Sequence, residues 1–158
     1  MVRAVVLLVA LVVGAPAPAH AQSDAKPLLD VRVQGDTKVT SRTSATVGGP
    51  GVELIGISPH AHMIAKHLNS SARIGGKMEC LSDVHDWDFE WQLDYIFAEP
   101  IPISTPISIA AFCDYDNGPD NQPTVDGVKR QQPITVYPGE GSADEMCLHY
   151  VWVRSPVR

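Results

Sequence analysis

The sequence predicts an all-β fold, a sandwich or barrel of short strands, and three observations carry that expectation. Beyond the N-terminal segment, no apolar stretch keeps the 3.6-residue period of a helix. Short runs rich in β-branched and aromatic residues follow one another instead, and turn formers separate them, with 12 Gly and 13 Pro in 158 residues.

In chain order, runs at 28–33 and 44–47 end at Gly48-Gly49-Pro50-Gly51. Runs at 52–64 and 67–74 lead to Gly75-Gly76, after which 77–81 and 86–97 stop before Glu99-Pro100-Ile101-Pro102. Residues 107–115 precede Asn117-Gly118-Pro119, and 134–137 precede Pro138-Gly139-Glu140-Gly141; the last run is 146–153. Strict alternation in Trp87-Asp88-Phe89-Glu90-Trp91-Gln92 places the three aromatics on one strand face, expected in the core because each ring buries a large area. The polar, turn-rich stretch 114–133 is expected to cross the surface. No repeat, linker or second domain is visible.

Arg3, the apolar stretch 4–13 and the small-x-small triplet Ala19-His20-Ala21 form a secretory signal over residues 1–21, leaving one domain over 22–158. No later apolar run approaches the roughly 20 residues of a membrane span. The expectation is a secreted or periplasmic protein with no membrane attachment after cleavage. With Arg3 removed, eleven basic residues face 18 acidic ones, about −7, which argues against a nucleic-acid partner.

Three cysteines in an oxidising compartment allow at most one internal bridge. Cys113–Cys147 is the expected pair, because a bridge at Cys147 would fix the strand beside Met146. Cys80 is then a buried small hydrophobe or a free thiol.

Met146 matters because of His60-Ala61-His62. Two histidines at i and i+2 of a strand point to the same side and can share one metal ion. A thioether as third ligand biases that ion towards copper, since an uncharged soft sulfur suits Cu(I), whereas zinc usually takes thiolate, imidazole or carboxylate. The candidate site is His60, His62 and Met146, with one copper per chain. Other chemistries lack their parts: there is no Gly-x-Ser-x-Gly, P-loop or Cys-x-x-Cys, and Asp114, Asp116 and Asp120 lack a twelve-residue calcium loop and read as a solvated acidic loop. A blue-copper site would need a cysteine ligand, and Cys147 points away from its neighbour Met146.

Read together, 57–66 around the histidines, Cys80-Leu81, 87–92, Cys113-Asp114-Tyr115-Asp116-Asn117 and the stretch 139–147 ending in Asp144-Glu145-Met146-Cys147 resemble the C-terminal domain of the copper type II, ascorbate-dependent monooxygenases. This is the family of peptidylglycine α-hydroxylating monooxygenase and dopamine β-monooxygenase, and the resemblance runs from about Leu28 to Val153. It implies a jelly-roll β-sandwich of about eight antiparallel strands, an oxygen-activating copper on His60, His62 and Met146, and a disulfide matching Cys113 and Cys147. It also implies hydroxylation of a C–H bond of a small-molecule or peptide substrate with O₂, using electrons from ascorbate or another donor.

Two departures bear on function. Family enzymes carry an electron-transferring copper on three histidines in a preceding domain, for which this chain shows no counterpart. Of the histidines left over, His67 and His149 fall by strand parity on faces opposite the candidate ligands, so His67, His85 and His149 are not expected to form a second copper site. An electron-donating copper protein is therefore an expected partner. In the peptide-amidating branch, an Arg two residues before the first histidine and an Asn two after the methionine hold a substrate carboxylate; here those positions are Ser58 and Leu148. Tyr150 matches a substrate-contacting tyrosine, and a core role is open to it as well. Two non-enzymatic alternatives use the same sandwich: an exported copper carrier, and an interaction domain.

Overall fold

A computed structural model of the protein describes residues 32–156 and the backbone of Ala4–Leu7. The remainder of the expected leader at 1–21, and residues 28–31 of the first expected strand, lie outside the described residues. Among the described residues the strands are β1 (Ala4–Leu7), β2 (Lys38–Val47), β3 (Glu53–Ala61), β4 (Ala65–Ile74), β5 (Lys77–His85), β6 (Tyr95–Pro102), β7 (Ile107–Asp116), β8 (Thr124–Val125), β9 (Val128–Lys129) and β10 (Cys147–Arg154). One sheet has the order β1-β10-β3-β6, the other β2-β7-β4-β5, and β8-β9 is a small separate hairpin. All pairings within the two large sheets are antiparallel.

The inner faces of the two sheets share a core. At one end Ala61 of β3, Leu68 of β4, and Cys113 and Cys147 of β7 and β10 pack with Trp87 and Tyr115. At the other, Leu54 and Ile57 of β3 meet Ala72, Leu81, Ile109, Val151 and Val153 from β4, β5, β7 and β10. The fold is thus an all-β antiparallel sandwich, its two sheets packed through a shared apolar core.

Several boundaries differ from expectation. The run 86–97 is not one strand: residues 86–94 form a loop with a turn at Phe89-Glu90, and β6 starts only at Tyr95. Its aromatics do not share one core face, since Trp87 is buried while Trp91 is 72% exposed. Alternation was satisfied locally, but no neighbouring strand pairs with these residues, and a strand needs a partner for its amides. Conversely, Glu99-Pro100-Ile101-Pro102 does not break the chain. It lies within β6, an edge strand of its sheet, where proline is tolerated. Residues 28–33 and 134–137 contribute only the bridge Val33–Val136 among the described residues. Cys80 is an exposed free thiol and not a buried hydrophobe.

Candidate metal centre

β3 and β10 lie side by side, with Cys147 opposite Ala61, Leu148 opposite His60 and Tyr150 opposite Ser58. Ala61 and Cys147 are fully buried in the core. Strand alternation therefore turns His60, Leu148 and Tyr150 to the other face of the sheet. His62 and Met146 leave the ladder next to each other, one residue beyond the Ala61–Cys147 pair. The two imidazoles thus lie together, and the backbone of Met146 lies at the same end of the sheet. Tyr150 joins them, its ring 6.3 Å from that of His60 and half-buried.

β3 pairs with β6 only as far as Ile57. Past that point it has β10 alone as partner, which is where Pro59 is accommodated without an amide hydrogen to offer. The loop 86–94 occupies the open side and reaches the histidines. Gln92 Oε1 accepts a hydrogen bond from His60 Nδ1 at 2.6 Å, while Gln92 Nε2 donates to the Phe89 carbonyl at 2.7 Å. The second bond sets which end of the amide faces the imidazole. His62 Nδ1 donates to the Asp144 carbonyl at 3.1 Å, and a carbonyl can only accept. Both rings therefore carry a proton on Nδ1, which makes Nε2 the nitrogen with a lone pair in the neutral form of each ring. The rings meet edge to face, centroids 5.2 Å apart.

His62 is 4% exposed, and burial lowers its pKa from the ordinary histidine value, with the Asp144 carbonyl acting in the opposite direction. The neutral imidazole, the form that binds a metal, is thereby favoured. Phe89 packs edge-on against His62 at 5.6 Å, and Trp87 Nε1 donates to the His62 carbonyl at 3.2 Å.

Glu145 is the group that sequence reasoning missed most completely. It is 1% exposed, and its carboxylate accepts from the amides of His62 (2.9 Å), Ile64 (2.8 Å) and Met146 (3.2 Å). One side chain thus ties the turn after β3 to the start of β10. Burial pushes its carboxyl up to about 7, against the amide donors that lower it. Tyr115 adds a further tie, its hydroxyl donating to the Met146 carbonyl at 2.7 Å. The position inside Asp144-Glu145-Met146-Cys147 was visible beforehand, but no spacing rule relates a carboxylate to amides 83 and 81 residues away.

Cys113 and Cys147 form a disulfide, joining β7 to β10 immediately beside Met146. Cys147 has no thiolate to offer a blue-copper centre. Ser58 is buried and hydrogen-bonded to Asp94 and to Trp152 Nε1, so no cation stands at that position. The remaining histidines divide: His149 is buried near the disulfide, and His67 and His85 lie across β4 and β5 in the other sheet.

The family described as copper type II ascorbate-dependent monooxygenase, C-terminal domain, matches residues 30–155. No curated protein matches the chain.

Proposed function

Because the chain belongs to the copper type II ascorbate-dependent monooxygenase C-terminal domain family, we propose that it holds one copper ion on His60, His62 and Met146 and takes part in hydroxylating a C–H bond with O₂. The observation that carries this is the pair of orienting bonds: Gln92 Oε1 and the Asp144 carbonyl both accept from Nδ1–H, so that Nε2 is the metal-binding nitrogen of each neighbouring ring, and Met146 directly precedes Cys147, which stands opposite Ala61. Two imidazoles and a thioether form a donor set suited to Cu(I). Copper bound there would supply the one-electron redox chemistry and oxygen activation characteristic of the family.

The chain's own residues orient and shield. Gln92 holds the His60 ring, the Asp144 carbonyl holds that of His62, and Glu145 holds the two backbones that bear His62 and Met146 at a common end of the sheet. Phe89 covers one side of His62 and excludes water from it. The half-exposed Tyr150 and, on the loop beside Gln92, the exposed Trp91 provide aromatic surface for a small-molecule or peptide substrate. Ser58 and Leu148 offer nothing to bind a terminal carboxylate. Ser58 is engaged with Asp94 and Trp152, and an aspartate repels that group. A glycine-extended peptide is for this reason a poor substrate.

The reaction inserts one oxygen atom of O₂ into the C–H bond and releases the other as water, consuming two protons and two electrons. Ascorbate or an electron-donating copper protein would provide the electrons. An electron-transferring copper of the family's kind is proposed to reside on a partner or a separate domain. Secretion through the expected signal at 1–21 is in keeping with the disulfide, a bond that persists in oxidising compartments. Metal analysis of the purified protein should give about one copper per chain. Ascorbate-dependent O₂ consumption should stay slow until a three-histidine copper domain is added, and His62→Ala should abolish it. Copper binding with no O₂ consumption under any donor would support the carrier alternative instead.

A further inference from the structure

The outward face of the second sheet carries a second set of ligand-bearing side chains. His67 of β4 stands opposite His85 of β5 on one side and Asp114 of β7 on the other. The two imidazoles stack, centroids 4.5 Å apart and planes within 4°. Both aim Nε2 at one carboxylate: His67 Nε2 lies 2.6 Å from Asp83 Oδ1, and His85 Nε2 lies 3.3 Å from Asp83 Oδ2. The other nitrogen of His67 is 3.0 Å from Asp114 Oδ2.

We propose that His67, Asp83 and His85 form a second metal site, taking one divalent transition-metal ion, Zn(II) or Cu(II). Ligand atoms from the three residues all lie within 4.8 Å of one another. Tetrahedral bonds of about 2.0–2.1 Å set neighbouring donors roughly 3.3–3.4 Å apart, so the spacing present needs little adjustment. Asp114 supplies the outer carboxylate that commonly orients a metal-bound histidine through its second nitrogen. Thr40 in turn hydrogen-bonds Asp114 from β2, so the orienting group is itself held.

The donor set decides the ion. Two imidazoles and a carboxylate contain no soft sulfur, which favours a divalent ion over Cu(I), with Cu(II) bound more tightly than Zn(II). The preference is opposite to that of His60, His62 and Met146. Side-chain exposures of 31% for His67, 42% for Asp83 and 72% for His85 leave the ion open to solvent, with room for water as a further ligand. An ion there would bridge β4 and β5 directly and reach β7 through Asp114.

Calorimetric titration of the full chain carrying His60→Ala and His62→Ala with Zn(II), and separately with Cu(II), tests the site apart from the first one. The double variant should take up one ion per chain. Adding His85→Ala or Asp83→Asn should weaken binding at least about tenfold, and Cu(II) should show nitrogen ligation by electron paramagnetic resonance. If the double variant fails to fold, Cu(II) titration of the unmutated chain should find two sites, and the single variant His85→Ala, changed at an exposed position, should find one. Absence of stoichiometric uptake by the folded double variant, or uptake indifferent to His85→Ala, would overturn the proposal.

Discussion

At His149 a buried imidazole has no hydrogen-bond partner at either nitrogen among the described residues, and burial pulls its pKa down to about 4. The unfolded chain takes up a proton there below about 6.5, and the folded chain only below about 4. The corresponding stability is therefore complete above about pH 6.5 and is lost as pH falls towards 4. A depression of that size corresponds to at most about 3 kcal/mol. Denaturant unfolding at pH 7 and pH 4.5 should show a loss on acidification that shrinks in His149→Leu; an equal loss in both proteins would contradict this. Gln92 gives a second prediction. Gln92 is exposed and outside the core, yet it orients the His60 ring. Gln92→Ala should lower copper affinity about 10- to 100-fold with an unchanged melting temperature. His60, His62 and Met146 could be nominated from the sequence because ligand chemistry is a matter of residue type and short spacing. Gln92 and Glu145 could not, because each acts through one contact that only the folded chain creates.

The element with most to teach is the loop 86–94. Its alternating aromatics read as a strand, and the error came from treating a local pattern as sufficient when no neighbouring strand was there to pair with it. What the loop does instead is deliver Gln92 to His60, Phe89 to His62 and Asp94 to Ser58. β6 went wrong in the opposite sense, since Pro100 and Pro102 are breakers only where both sides of a strand must be hydrogen-bonded. β7 and β10 were readable, and so was the bridge between them. That disulfide closes a separation of 34 residues and ties the two sheets next to Met146. In the chain-entropy model it contributes about 3–4 kcal/mol. Reduction should lower unfolding stability by an amount of that order, and labelling of the denatured, unreduced protein should modify Cys80 alone. Labelling of Cys113 or Cys147 before reduction would contradict the pairing.

Across the whole molecule, two sheets present two outward faces with different donor chemistry. The first sheet carries His60, His62 and Met146 at the end that the disulfide stiffens, and the second carries His67, Asp83 and His85. The class of fold followed from short runs and frequent breakers, whereas the partition of strands between sheets depended on long-range pairing that no run length encodes. Parity placed His67 on the opposite face of a strand continuing from His62, whereas the chain turns after Ala61 and carries His67 into the other sheet, where β4 and β5 set it against His85. The central claim is that a thioether and two imidazoles share one copper ion. X-ray absorption at the copper edge of the Cu(I)-loaded protein tests it most directly. Two imidazole nitrogens and one sulfur should be found, and the sulfur should vanish in Met146→Ala; nitrogen and oxygen ligands only, or sulfur persisting in that variant, would contradict the account.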